Sequence, residues 1–350
     1  MPPANRPEKK SSLANKILKQ LPLADKTAVW GTLGTIRPLL SFEVARDVQS
    51  LLDAVTDKVV EYGTIINLLT NRTNGQRQQV AEGFQDFTQQ DLLKTLRAAV
   101  SGNLETAVLG LLRPAAQYDA HEIKAAMKSP EGGATLAEIL CTRTNQQLQE
   151  MLDFYKHDFK LDLEADIAVS GTDSFFKDLL LALIKTSRER YSGVIDYILI
   201  EQDAKDLVHA SGGETGRLDE RKWIGILTQR SPEHLNRVFS LYHKMTGLQL
   251  EEAVAKFFQG DAQVAGLTLV SVLRNAPLYF AIRLRQAVKG PGANHRTLIR
   301  ILISRSETDL LSIRAEFRKQ YGISLYSFIR AETKGNYRAI LLGLCKAEDL

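Results

Sequence analysis

The 350 residues predict an all-α protein built from four copies of one helical unit behind a basic N-terminal tail. Three observations carry that prediction: a frame of residues that recurs four times, apolar residues at helical spacing, and the scarcity of strand-like alternation. The frame is anchored on an arginine followed by Thr or Ser: INLLTNRT at Arg72, EILCTRT at Arg143, GILTQRS at Arg230 and RILISRS at Arg305. Twelve residues on stands an aromatic (Phe84, Tyr155, Tyr242, Phe317), and thirty on stands Gly102, Asp173, Gly260 or Gly335. At thirty-seven come Leu109, Leu180, Leu267 and Leu342. Four offsets coinciding in four copies define an internal repeat.

Within a copy the helical period is explicit. In RSETDLLSIRAEFRKQYG, Leu310, Ile313, Phe317 and Tyr321 fall at three- and four-residue steps, one stripe of a helix. Ser306 or Thr308 is the expected N-cap and Gly322 the expected stop. SLYSFIRAET and RAILLGLCKA read the same way. Only ten prolines punctuate the chain, so breaks are turns between short helices. A unit this small cannot bury its apolar faces alone, so neighbours must pack together. The expected division is a tail over 1–41 and repeats over 42–113, 114–190, 191–276 (including a linker) and 277–350. Copy spacings of 71, 87 and 75 residues put the extra length between the second and third copies.

Composition narrows the class. Hydrophobic residues at 44% and charged residues at 25% suit an ordinary globular protein. No uninterrupted apolar run approaches the roughly 20 residues needed to cross a bilayer. The opening MPPANRPEKKSSLANK lacks the apolar core of a secretory signal, which leads to a cytoplasmic expectation. Cys141 and Cys345 sit in apolar settings and read as reduced core thiols. Residues 1–30 hold six basic groups against two acidic ones, so the remaining 320 balance at 39 of each. A neutral body has no global field to draw in nucleic acid.

The four-fold Arg-Ser/Thr frame, LIRILISRSETDLLSIRAEFRKQYGISLYS and the closing AILLGLCKAED resemble the annexins over about 42–349. GTLGTIRPLLSF and APLYF at 276–280 resemble a branch of that family with depleted calcium sites, and similarity to annexin two is considerable. The resemblance implies five helices per repeat, a slightly curved disc, and a convex face that meets acidic phospholipid of the phosphatidylserine type through calcium. It further implies a calcium loop of pattern Met-Lys-Gly-x-Gly-Thr giving backbone carbonyls, and a carboxylate about 42 residues beyond its first glycine. Calcium, a hard cation taking six to eight oxygens, suits such a cage. Glycines let the turn aim its carbonyls inward.

Scored on loop and acid, the copies differ. The first has Val55-Thr56-Asp57-Lys58-Val59-Val60 and Ala99 at the acid position, leaving Asp57 as a lone carboxylate. The second has Met127-Lys128-Ser129-Pro130-Glu131-Gly132-Gly133, one residue short, with Ser170 at the acid position and Asp173 nearby. The third has Gly212-Gly213-Glu214-Thr215-Gly216-Arg217-Leu218 with Phe257 in place of the acid, and a cation and an apolar group both oppose calcium. The fourth retains both glycines in Val288-Lys289-Gly290-Pro291-Gly292-Ala293, and Glu332 lies 42 residues after Gly290. Its expected ligands are the carbonyls of Val288, Gly290 and Gly292 with the Glu332 carboxylate, so at most one well-formed calcium site is expected. Binding through one site is weaker than through four. Lys58, Lys128, Arg217 and Lys289 align toward the same face, where basic groups near an anionic leaflet contribute on the order of 1 kcal/mol each. They offer a calcium-independent alternative.

In the tail, Ala14, Ile17, Leu18 and Leu21 follow i, i+3, i+4, i+7, with Leu23 beyond and Pro22 ending the helix. The stripe is similar to the tail of annexin two, which implies an S100-type partner. The residues equally allow a helix folded back on the body or lying on a membrane. No HExxH, P-loop or GxSxG pattern occurs, so no catalysis is expected.

Overall fold

Nineteen α-helices, and no strand, run through the described residues, which are 33–56, 59–129, 132–169, 174–185, 188–189, 191–211, 219–288 and 293–347 of the computed structural model. The first repeat holds α1 (Val44–Thr56), α2 (Tyr62–Thr70), α3 (Asn74–Thr88), α4 (Leu92–Ala99) and α5 (Gly102–Leu112). The second holds α6 (Ala115–Ala126), α7 (Gly133–Thr142), α8 (Asn145–Phe159), α9 (Leu163–Val169) and α10 (Ser174–Lys185). The third holds α11 (Tyr197–Ala210), α12 (Glu220–Gln229), α13 (Pro232–Thr246), α14 (Leu250–Phe257) and the first half of α15 (Gly260–Val288). The fourth takes the second half of α15, then α16 (His295–Arg305), α17 (Leu310–Tyr321), α18 (Leu325–Glu332) and α19 (Gly335–Cys345).

α15 is two helices joined end to end. Asn275 leaves helical geometry (φ −159°, ψ 91°), and its Oδ1 accepts from Leu278 N at 3.0 Å, with Pro277 in the first turn that follows. This helix corrects the expectation drawn from apolar runs. By length and composition (29 residues, with an 18-residue stretch of mean hydropathy 1.3) it is long enough to cross a membrane, yet half of that stretch is buried inside the protein and Asn275 breaks the helix.

Helices this short need partners, and the repeats pair out of sequence order. One core joins repeats 1 and 4 (Leu51, Phe84 and Leu96 with Phe280, Leu298, Phe317 and Leu341), while a second joins repeats 2 and 3 (Ile139, Tyr155 and Phe176 with Trp223, Phe239 and Leu269). The frame aromatics Phe84, Tyr155, Tyr242 and Phe317 are all essentially fully buried. Three frame glycines, Gly102, Gly260 and Gly335, open the fifth helices at φ near +60°, the left-handed region that a side chain resists. Asp173 falls outside the described residues.

Each frame arginine clamps its repeat. Arg72 meets Asp47 through Nε and Nη2 (2.6 and 2.8 Å), Arg143 meets Asp119 (2.6 and 2.7 Å) and Arg230 meets Asp203 (2.7 and 3.3 Å). The link runs from the turn before the third helix back to the first helix. In the fourth copy the first-helix position is Phe280, so Arg305 stacks on that ring at 4.7 Å and pairs with Asp309 one turn on. The following Thr73, Thr144 and Ser231 cap the third helices through the backbone N–H groups of Gln76, Gln147 and His234. Ser306 departs from expectation. It is fully buried and donates to Ile303 O, α17 starts after Asp309 without a side-chain cap, and only Gly322 stands where the sequence put the helix end.

The two paired modules meet across a charged seam. Glu138 accepts from Arg300 Nε at 3.0 Å and from Tyr279 Oη at 3.4 Å, and Glu122 accepts three bonds from Nε and Nη2 of Arg296. Burial opposes the Arg300 charge, but Glu138 and Glu122 outweigh it and hold its pKa above the ordinary value. Cys141 is a free thiol.

Arg143 and Asp119 are both nearly buried, so breaking the pair strands a charge. Arg143→Ala is expected to lower unfolding stability by about 3–5 kcal/mol. Chemical denaturation checks this, and Arg143→Ala with Asp119→Ala together should cost less than the two single losses combined.

Candidate metal centre

The loops scored in the sequence all lie between the first and second helices of a repeat. In three of them one backbone bond draws the ends together: Glu61 N to Ala54 O (2.9 Å), Asp219 N to Ala210 O (2.8 Å) and Asn294 N to Ala287 O (2.7 Å). The second loop is a tighter turn, with Gly132 N donating to Ser129 O at 3.0 Å. A Cβ on Gly132 would lie 1.8 Å from Ala126 O, so this glycine is required by packing. Ser129 and Gly132 share a cavity of about 350 Å³ with Ala287, Asn294, Arg296 and Arg300.

The acid positions fall at the ends of the fourth helices. Ala99 ends α4 half-buried, and its carbonyl accepts from Tyr62 Oη at 3.2 Å, which ties that helix end to the start of α2 beside loop 1. Phe257 ends α14 half-buried beneath Lys256 Nζ, 5.3 Å from the ring centre. Glu332 ends α18 exposed to solvent, with no ion-pair partner among the described residues. Ser170 and Asp173 lie outside the described residues. Near them, Asp166 is already engaged by Lys124 Nζ and Tyr155 Oη, each at 2.6 Å. Burial opposes its charge, but these two bonds prevail and hold its pKa below the ordinary value.

Around the fourth loop, Val288 is the last residue of α15 and 8% exposed, its side chain in the core shared by repeats 1 and 4. Asn294 caps α16 by accepting from Thr297 N at 3.0 Å, and His295 Nδ1 lies 3.1 Å from Tyr337 Oη. Burial keeps the Tyr337 hydroxyl neutral to well above its ordinary pKa. Gly290 and Gly292 lie outside the described residues, as do Lys58, Arg217, Lys289 and the tail residues Ala14, Ile17, Leu18, Leu21 and Leu23. Lys128 is exposed, its backbone N–H bonded to Ala125 O. No group of three or more His, Cys, Asp or Glu side chains gathers among the described residues. Backbone carbonyls with one carboxylate are donors of the kind a hard cation accepts.

The Annexin family model matches residues 46–111, 118–183, 202–269 and 279–344, one match per repeat. This chain belongs to the annexin family. It is 53% identical over 340 residues to Annexin A9 of Homo sapiens, covering 97% of each, and 52% identical over 341 residues to Annexin A9 of Mus musculus at the same coverage. Among solved structures it is similar to Annexin III (TM-score 0.87, 34% identity, 91% of this chain and 98% of that one). It is also similar to a calcium-bound annexin (Sm)1 (TM-score 0.81, 26% identity, 90% and 94%). Annexins are in general non-enzymatic, calcium-dependent phospholipid-binding proteins that meet membranes peripherally.

Two features of this annexin escaped the sequence reading. The aspartates clamping the frame arginines stand 24, 25 or 27 residues before them, an offset search could have found them, and Phe280 takes that place in the fourth copy. The Glu122 and Glu138 seam carried no local pattern at all. Asn294 both closes loop 4 and caps α16, so Asn294→Ala is expected to lower stability by about 1 kcal/mol, read as a lower Tm by calorimetry.

Proposed function

We propose that this annexin docks peripherally on acidic phospholipid of the phosphatidylserine type, with calcium held mainly in repeat 4 and with weak affinity overall. The carrying observation is the contrast at the ends of the fourth helices. Glu332 is an exposed carboxylate with no ion-pair partner among the described residues, whereas its counterparts are Ala99, Ser170 and Phe257. The carbonyls of Val288, Gly290 and Gly292 are assigned as the other protein ligands. Lipid phosphate and water complete the shell in this reading, so metal and membrane bind together. One calcium contact in place of four forgoes the avidity of linked sites. The protein acts without catalysis, from the cytoplasm, at the inner face of the plasma membrane or of vesicles.

A second reading keeps the membrane and drops the metal. Lys128 is exposed on loop 2, and Lys58, Arg217 and Lys289 align with it, so basic loops together with the tail support calcium-independent adhesion. The tail's apolar stripe, Ala14, Ile17, Leu18, Leu21 and Leu23, supports an S100-type partner.

Co-sedimentation with phosphatidylserine vesicles separates the two. Wild type is expected to sediment in millimolar calcium and to be released by EGTA. Glu332→Ala should need at least about tenfold more calcium, since losing one charged oxygen contact costs on the order of 1.5 kcal/mol or more. Equal sedimentation of wild type in EGTA favours the basic loops, and Lys128→Glu should then reduce it.

A further inference from the structure

The polar cavity of about 350 Å³ lies on the charged seam between the two modules, walled by α6, α7, the second half of α15 and α16. Its volume is at the low end of the roughly 300–1,000 Å³ that small-ligand sites occupy. Ser129, Asn294 and Arg296 on its wall are exposed, so it is reached from solvent.

Three arginines line it: Arg283, Arg296 and Arg300. The Arg300 side chain is only 2% exposed, yet among the described residues only its Nε is hydrogen-bonded, to Glu138 Oε1 at 3.0 Å. Its Nη2 lies 3.0 Å from that same oxygen without forming a hydrogen bond, and Nη1 stands 3.8 Å from Glu122 Oε2. Arg283 Nε is likewise buried with no hydrogen-bond partner among the described residues, 3.6 Å from Glu138 Oε2. A buried donor that lacks an acceptor costs free energy, and an acceptor brought to it recovers that cost.

Backbone fields have the same sign. α7 begins at Gly133 without a side-chain cap and sets Ala134 and Thr135 of its first turn on the cavity wall, while α16 sets Arg296 and Thr297 there. Helix N-termini favour anions. The ends of α6 and α15 also reach the wall, but the carbonyls of Ala125, Ala126 and Ala287 are taken by the N–H groups of Lys128, Ser129 and Asn294. Glu122 lines the cavity and would repel an anion, yet Arg296 already engages both of its oxygens. Glu138 is likewise held by Arg300 and Arg283. Three arginines against these two glutamates leave one positive charge.

We propose that this cavity binds a phosphate group through Arg283, Arg296 and Arg300. Guanidinium forks match phosphate oxygens in pairs, which a point charge cannot do. The phosphate belongs to a lipid headgroup or to a soluble phosphate compound, since both bring the same oxygens. The site uses neither calcium nor Glu332 and stands apart from the docking reading.

Calorimetric titration of the full chain with inorganic phosphate, without calcium and at constant ionic strength, tests it. Wild type is expected to bind saturably in the millimolar range or tighter. Arg283→Gln, and separately Arg296→Gln, should each weaken binding at least about tenfold, the worth of a charged hydrogen bond, with helical content unchanged by circular dichroism. Arg283 is the safer position, because Glu138 keeps Arg300 when it is replaced. Absence of saturable binding by wild type, or equal binding by wild type and Arg283→Gln, overturns the proposal. Sedimentation with phosphatidylserine vesicles in millimolar calcium then separates the sources. Weaker sedimentation of Arg283→Gln assigns the phosphate to the lipid headgroup. Sedimentation equal to wild type, or none by either protein, assigns it to a soluble phosphate compound.

Discussion

The clamp between a repeat's arginine and its first helix is the contact on which the architecture depends. Each repeat consists of helices too short to be stable alone, and their order in space is set by a few fixed points. Arg72, Arg143 and Arg230 supply one such point by fixing the turn before the third helix to an aspartate near the start of the repeat. With that turn held, the frame aromatic twelve residues on is delivered into the core, and the short fourth helix follows. The fourth copy keeps the position and changes the chemistry. Arg305 covers the Phe280 ring and pairs with Asp309, so an aromatic surface and a local partner replace the first-helix carboxylate.

Architecture and metal chemistry separate because they use different atoms of the same loops. The inter-helix loops are closed by backbone bonds that any sequence can make, and the second loop keeps Gly132 because Ala126 O leaves no room for a Cβ. Side chains at the fourth-helix ends point outward or rest half-buried, where Ala99 and Phe257 are tolerated without disturbing the core. A repeat can therefore lose its carboxylate and stay folded. Pairing of repeat 1 with 4, and of 2 with 3, means that a repeat whose metal ligands are gone still contributes half of a shared core.

Much of the fold was legible in the sequence because a helical stripe is a local signal. Leu310, Ile313 and Phe317 are all fully buried, and the recurring glycines mark left-handed turns that only the backbone demands. Contacts between distant segments were not legible. Nothing within a copy says that repeat 1 packs on repeat 4, or that Glu138 meets an arginine 162 residues away. Thr73, Thr144 and Ser231 were legible as followers of the frame arginine but not as caps, and Ser306, one of the expected caps, turns inward to Ile303 O instead. α15 was hidden for the opposite reason: a helix broken at Asn275 carries its apolar residues in two stripes rather than in one run. For the candidate site, the identity of the acid positions was legible by counting. The exposure of Glu332, and its lack of an ion pair among the described residues, required the fold.

One measurement bears most directly on the claim that a single repeat retains calcium chemistry. It is the anomalous density of a crystal grown with calcium and a short-chain phosphatidylserine. The account predicts one ion bound by the carbonyls of Val288, Gly290 and Gly292 and the carboxylate of Glu332. An ion at the first, second or third loop, or none at the fourth, would contradict it.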